Sequence, residues 1–376
     1  MRKVPALVLA VMASLLTVAT AFAQSMDEII AEAVLPLPED LRAGATVYRY
    51  DPETGSRVVL RQGTNHVECH PKNLDGFTWC YPIATAARRD LSARLMAEGV
   101  SDAERAEAVA AAEAAGEIEP TPFGSILYRL YDGDDRIRLL WVVVLPGATS
   151  DELGMPTASQ RDPSLAGQGL PWMMEEGTPQ AHLMIPINGT QLSNRGGAAT
   201  RLDTKAIDDP VVQAVLPLPE ALRNDATVFT YDEATGERIV LRRGSNGIEC
   251  QPRNPETGFT RCYQEWRGAE LDLRARLNAQ GRSEAEIAAA LAAAREDGSI
   301  ESTPFGSLAY RLYEEDDRLK LLWILSLPDA MPGPLGMPTG PQRDQSLAGR
   351  GRPWMMREGT PAAHLMIPIN STELSN

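Results

Sequence analysis

Apolar and polar residues alternate in short runs along this chain, and the period of the alternation changes from place to place. Residues 46–50 and 57–61 flank the turn-forming sequence Asp51-Pro52-Glu53-Thr54-Gly55 and predict a β-hairpin. Residues 88–98, a corner at Gly99, and the capping box Ser101-Asp102-Ala103-Glu104 opening an Ala-rich run to Gly116 predict a helical hairpin. Residues 126–131 and 138–145 predict a second β-hairpin around the acidic tip Asp132-Gly133-Asp134-Asp135. Its returning strand, 139–145, has no polar alternation, so both of its faces are expected to be covered. In the segment 181–188 the two-residue period puts His182 and Met184 on one face and Leu183, Ile185 and Ile187 on the other. Pro186 keeps that segment near a strand end or a sheet edge.

The whole pattern is then written again. Ala33-Val34-Leu35-Pro36-Leu37-Pro38 returns as Ala214-Val215-Leu216-Pro217-Leu218-Pro219, and Thr121-Pro122-Phe123-Gly124-Ser125 as Thr303-Pro304-Phe305-Gly306-Ser307. Pro171-Trp172-Met173-Met174 returns as Pro353-Trp354-Met355-Met356. The offset is 181 residues up to the first cysteine of each copy and 182 from the second, so one residue is inserted between the cysteines. A period this long matches a duplicated domain and is too large for a solenoid repeat. The copies are placed at 26–194 and 208–376, joined by a linker at 195–207 that opens with Gly196-Gly197-Ala198-Ala199. The expected fold class is α+β: two tandem homologous domains, each an antiparallel sheet with a helical hairpin on one face and one intradomain disulfide. The two are expected to pack in cis about a pseudo-two-fold axis, as a fused dimer does.

Residues 1–23 stand apart from this scheme. Arg2 and Lys3 precede an apolar run over 6–18, and Ala21-Phe22-Ala23 is a small-x-small cleavage pattern before Gln24, which together read as a secretory signal peptide. The run is shorter than the roughly 20 residues that a spanning helix needs. A periplasmic or extracellular protein without a membrane span is therefore expected. Asp and Glu outnumber Lys and Arg by 51 to 36, a net charge of −15, and this repels phosphate backbones and anionic lipid. Nucleic acid is accordingly not an expected partner.

The four cysteines fall two to a copy, Cys69 and Cys80, Cys250 and Cys262. Three pairings exist, and one bridge inside each copy is the economical one for an oxidising compartment. Neither C-x-x-C spacing nor matching histidines accompany them, so a zinc or redox pair is not indicated. His66 and His70 bracket Cys69 like a metal cluster, but their counterparts are Gly247 and Gln251, so chemistry common to both copies does not need them.

His182 and His364 are equivalent, and the stretch 170–188 around the first keeps 16 of 19 residues in the second copy, against 9 of 16 for the helix at 101–116. Three readings follow. A binding surface would use Trp172, His182 and Arg161 with Trp354, His364 and Arg343. A hydrolase would use His182 as general base with Asp162 or Glu176 and Ser164 as nucleophile, mirrored by His364, Asp344, Glu358 and Ser346. No G-x-S-x-G, H-E-x-x-H or glycine-rich phosphate motif accompanies those residues. A soft-metal site for Cu(I) would draw on Met155, Met173, Met174, Met184 and His182, and on Met337, Met355, Met356, Met366 and His364. Methionine is also an adaptable core filler, and packing accounts for the same residues without a metal. The acidic clusters at 132–135 and 314–317 lack the ligand spacing of an EF-hand loop and read as solvated hairpin tips.

The segments Leu60-Arg61-Gln62-Gly63-Thr64-Asn65, Cys69-His70-Pro71 and Cys80, with a later Trp and Ala181-His182-Leu183-Met184, resemble a group of uncharacterised secreted bacterial proteins. Those share a Gly-Thr-Asn turn, a cysteine pair and a late Pro-His-x-Met strand. This chain departs from them in Ala181, in its Ala-rich helix and in its duplication. The resemblance implies secretion and the disulfide and carries no activity. The expected function is a noncatalytic binding or structural module of the cell envelope, with a small molecule or an envelope component as partner and no cofactor.

Overall fold

The computed structural model of the protein describes residues 24–37, 39–133, 137–150, 170–187, 202–314, 320–332 and 353–369. Each repeat contributes one eight-stranded sheet. The first comprises β1 (Thr46–Tyr50), β2 (Arg57–Arg61), β3 (Val67–His70), β4 (Phe77–Pro82), β5 (Ile126–Tyr131), β6 (Leu139–Val144), β7 (Trp172–Met174) and β8 (His182–Pro186). Its spatial order is β2-β1-β3-β4-β5-β6-β8-β7. The second has the same order in β9 (Thr227–Tyr231), β10 (Arg238–Arg242), β11 (Ile248–Gln251), β12 (Phe259–Gln264), β13 (Leu308–Tyr313), β14 (Leu321–Ser326), β15 (Trp354–Met356) and β16 (His364–Pro368). Neighbours are antiparallel except β1 with β3 and β9 with β11, which run parallel.

Both predicted β-hairpins form, as β1–β2 and β5–β6. The helical hairpin forms as α3 (Ala86–Ala97) and α4 (Asp102–Ala114), following the short helices α1 (Met26–Ala33) and α2 (Glu39–Arg42). Ser101 accepts from the Glu104 N–H while Glu104 reaches back to the Ser101 N–H, so two orphan donors of the helix end are satisfied reciprocally. Gly99 takes the corner at φ 81°, where a side chain would be strained. In the second repeat the corresponding helices are α5 (Pro210–Val215), α6 (Glu220–Arg223), α7 (Gly268–Ala279) and α8 (Glu284–Glu296).

The disulfides sit on the β3–β4 and β11–β12 hairpins. Cys69 faces Cys80 directly across the strands and Cys250 faces Cys262. The inserted residue lies in the turn between them. The Asn73 N–H donates to the Phe77 carbonyl at 2.9 Å in one repeat, and the Asn254 N–H to the Phe259 carbonyl at 2.8 Å across a turn one residue longer in the other.

Strand alternation divides each sheet into two faces. On the inner face Cys80, Tyr128, Trp141 and Ile185 lie in line across the strands, and Val143, Leu183 and Met173 form a second row beside them, all buried. Helix α1 covers the cysteine end of that face, bringing the Ala33 carbonyl to 3.4 Å from Cys80 Sγ; Ala214 of α5 stands 3.3 Å from Cys262 Sγ. The remaining inner-face side chains of both repeats belong to one continuous buried cluster, so the two sheets share a core. Phe123 meets its own counterpart Phe305 with ring centroids 3.9 Å apart. A residue that touches its equivalent marks a pseudo-two-fold axis.

The outer faces carry the ionic contacts. Buried Glu68 on β3 holds both Arg57 of β2 and Arg89 of α3, and Arg57 also reaches Asp90 at 2.7 Å. In the second repeat Arg238 bridges Glu249 at 2.6 Å and Asp272 at 2.9 Å, but Leu271 stands where Arg89 would be. Glu249 Oε2 is left buried with no partner among the described residues. Between the hairpin helices Arg88 pairs with Glu113, and the equivalent residues pair with their signs exchanged, Glu270 with Arg295 at 2.9 Å.

Of the segment expected as linker, residues 195–201 lie outside the described residues. Thr204–Ala206 form a single 3-10 turn, in which buried Thr204 donates to Glu314 Oε2 at 2.9 Å. Glu314 itself is buried, which corrects its reading as part of a solvated tip: Thr204 and, at 3.6 Å, Arg253 enclose it. Asp132 of the first tip is exposed and pairs with Lys72 at 2.9 Å. Residues 134–136, 315–319 and 1–23 lie outside the described residues. Among the described residues no helix is long and apolar enough to cross a membrane.

Candidate functional site

On the outer face of the first sheet the side chains of β4, β5, β6, β7 and β8 form the floor of a pocket, and α3 and α4 form one wall. Its volume is about 470 Å³, within the size range of small-molecule sites. The floor is apolar, built from Leu127, Val142, Val144, Met174 and Met184. At the α3 side Trp79 and Tyr81 lie one strand period apart and stack, with centroids 5.8 Å apart and planes 11° from parallel. Arg129 lies over Trp79 at 4.6 Å and over Phe77 at 3.9 Å, and Arg89 over Tyr81 at 4.3 Å, so guanidinium and aromatic groups alternate along this wall. Arg88, Arg89, Glu113 and Glu175 add charge at the rim.

His182 enters the pocket from β8. Its Nδ1 lies 2.7 Å from the Gln180 carbonyl oxygen. A carbonyl only accepts, so Nδ1 carries the proton and Nε2 of the neutral ring is left as an acceptor. His364 repeats this arrangement with the Ala362 carbonyl at 2.8 Å.

The second repeat has a pocket of about 300 Å³ at the same place. Tyr263, Arg311, Ile324, Met356, His364 and Met366 line it, the counterparts of Tyr81, Arg129, Val142, Met174, His182 and Met184 in the first. Burial lowers the pKa of His364 below the ordinary histidine value, and the nearby Arg357, Arg311 and Arg267 lower it further while the Ala362 contact opposes them.

The sequence-derived candidates distribute unevenly over this geometry. His182, Met174 and Met184 line the first pocket, and His364, Met356 and Met366 the second. Trp172 and Trp354 are fully buried beside the floors in small apolar clusters with Met184 and Met366, and they do not line the pockets. Met173 and Met355 face the shared core, on the opposite side of the sheet from His182 and His364. The Met and His set is thus split between two faces, which argues against a single copper centre. Among the described residues no three His, Cys, Asp or Glu come together as a metal site. Glu176 is engaged by the Ser150 hydroxyl and N–H, and its counterpart Glu358 is exposed. Arg161, Asp162, Ser164, Met155, Met337, Arg343, Asp344 and Ser346 lie outside the described residues. His66 and His70 stand away from the pocket; His70 packs edge-on against Tyr48, with ring centroids 5.0 Å apart.

The pattern reading missed Trp79, Tyr81 and Arg129. The signal was present as the two-residue period of Phe77, Trp79 and Tyr81 and the matching arginines Arg129 and Arg311, but the cysteine pair was read only for its bridge and no strand was expected at 77–82. Comparison with protein-family models, with curated proteins and with solved structures gives no match.

Proposed function

We propose that this chain is an exported, noncatalytic binding protein whose two repeats each hold a small molecule against the outer face of the sheet. The observation that carries this reading is the recurrence of a pocket at the same place on the outer face of both sheets, lined in each by equivalent Tyr, Arg, Met and His residues. The N-terminal pattern through Gln24 and the two intradomain disulfides support export. The first pocket has an apolar floor and a stacked aromatic pair, which suit a flat, largely apolar ligand.

The test uses N-phenyl-1-naphthylamine, a neutral apolar fluorophore, titrated into the full disulfide-bonded chain. Saturable enhancement at one site per chain is expected. Trp79→Arg installs the residue that the second repeat carries at this position, and it should weaken that binding by about tenfold, the loss of one aromatic contact and its buried area. The thermal midpoint should fall by no more than about 2–4 °C, the cost of an arginine directly opposite Arg129, so that the chain stays folded through the titration. Absence of saturable enhancement, or superimposable titrations for the native and variant chains, would overturn the reading.

A further inference from the structure

We propose that the pocket of the second repeat is an oxyanion site, chemically distinct from its counterpart, that takes the carboxylate or phosphate group of a small molecule. The proposal rests on the two-pocket reading and adds the class of one occupant.

Among the residues that line the second pocket, the changes of charge run in one direction. Trp79, Thr85 and Glu175 of the first correspond to Arg261, Arg267 and Arg357 of the second, and Val144 corresponds to Ser326. With Arg311, which both repeats keep as an arginine, four guanidiniums line the second pocket and no Asp or Glu does so among the described residues.

Arg261 and Arg311 are directly opposite each other on β12 and β13. Like charges in that relation destabilise a sheet by up to about 1 kcal/mol, and a bound anion would remove the penalty. Both are held in place by neutral groups. Arg311 donates to the Tyr313 hydroxyl at 2.9 Å and Arg261 to the Tyr263 hydroxyl at 3.4 Å, and both lie near the Phe259 ring, at 5.3 and 5.4 Å. No carboxylate of the described residues pairs with Arg261, Arg311 or Arg357.

Arg267 stands over the Tyr263 ring at 4.8 Å, and its Nε is buried without a hydrogen-bond partner among the described residues. The acidic residue that pairs with it among the described residues, Glu270 at 3.5 Å, is also held by Arg295 at 2.9 Å. Arg357 occupies a turn at φ 54° whose carbonyl accepts from the Thr360 hydroxyl, and this fixes it at the rim. His364 lines the same pocket as these cations.

This concentration of positive charge lies on a chain with a net charge of −15. Long-range repulsion disfavours a polyanionic surface as partner. A volume of about 300 Å³ suits a small anion that forms charge-assisted, two-pronged contacts with guanidinium groups.

Isothermal titration calorimetry of the full chain at fixed 0.1 M salt, with citrate and separately with inorganic phosphate, tests the proposal. One site is expected for at least one of the two anions, and the tighter of them identifies carboxylate or phosphate as the preferred group. Arg261→Trp and Arg357→Glu restore residues that the first repeat already accommodates. Each should weaken the anion by roughly tenfold or more, the equivalent of one charge-assisted contact. Binding of N-phenyl-1-naphthylamine in the first pocket should be unaffected. No saturable uptake of either anion, or unchanged affinity in both variants, overturns the proposal. If the fluorophore binds and the anions do not, the two-pocket reading stands and this inference falls; the converse result removes the apolar first site and leaves the anion site in place.

Discussion

Gly63 shows how a single residue fixes the crossover that makes β1 and β3 parallel. A Cβ there would lie 2.3 Å from the Thr46 backbone nitrogen, and the Gly63 N–H donates to Thr46 Oγ1 at 3.0 Å. The next two residues complete the junction, with the Thr64 and Asn65 N–H groups donating to the Gly44 carbonyl and Asn65 Nδ2 to the Leu41 carbonyl at 2.9 Å. Gly244-Ser245-Asn246 repeats the arrangement, so the Gly-Thr-Asn motif seen in the sequence is a structural junction. Gly63→Ala should destabilise the protein by about 1–3 kcal/mol, because the backbone on both sides has to move apart; a denaturant melt with unchanged midpoint would contradict this. His70 supplies a second residue-scale prediction. Burial holds its pKa below the ordinary histidine value, with the Arg57 charge contributing and a contact to Pro71 opposing. The unfolded chain then binds the proton more readily than the folded one. Its stabilising effect is complete above the ordinary histidine pKa and is lost as pH falls through the lowered folded value. His70→Gln, which installs the residue found at position 251, should flatten the fall in thermal midpoint on acidification from pH 7, and an unaltered pH profile would remove His70 as the cause.

At the scale of elements, the helical hairpin carries an experiment within the molecule. Arg88 of α3 pairs with Glu113 of α4, and in the other repeat Glu270 of α7 pairs with Arg295 of α8. The contact is kept and its polarity is reversed, so the attraction matters here and the sign on each helix does not. Arg88→Glu alone places two carboxylates together and should cost about 1 kcal/mol, a shift of roughly 2–4 °C in thermal midpoint. Adding Glu113→Arg should restore the midpoint, and failure of the double variant to recover would show that Arg88 acts through something other than Glu113. This pair also marks what was legible in the sequence. The hairpins β1–β2 and β5–β6 and the helix pair were readable because turn residues, capping boxes and a changing period are local signals. The two faces of β8 followed from alternation alone. The β3–β4 hairpin was not readable, because its strands are short and the cysteines drew attention to the bridge rather than to the strand that holds them. The pocket was half-readable: His182, Met174 and Met184 lie on a strongly repeated stretch, whereas Arg88, Arg129 and Trp79 reach it from elements distant in sequence.

At the scale of the whole molecule, the inner faces decide how the repeats relate. Trp141, Val143, Leu183 and Ile185 are buried, as are their counterparts Trp323, Leu325, Leu365 and Ile367, and all belong to one cluster. Among the described residues, helices α1 and α5 meet the cysteine end of each inner face, and the other inner-face side chains join one buried cluster with those of the opposing sheet. The outer faces, relieved of that duty, are where the two repeats differ in charge and in pocket lining. Duplication inside one chain makes this division possible, since a symmetric dimer would have to carry the same pocket twice. The shared core also makes each repeat dependent on the other. Residues 24–194 produced alone would expose a contiguous apolar face well beyond what a soluble monomer tolerates. The fragment should therefore dimerise through that face, recreating the Phe123 contact between two copies, or precipitate. Light scattering after size-exclusion chromatography distinguishes the outcomes, and Phe123→Asp should weaken the dimer because it brings two carboxylates together at the axis. A folded, monodisperse monomer at tens of micromolar would mean that each sheet covers its own inner face and that the common core is a contact between finished domains.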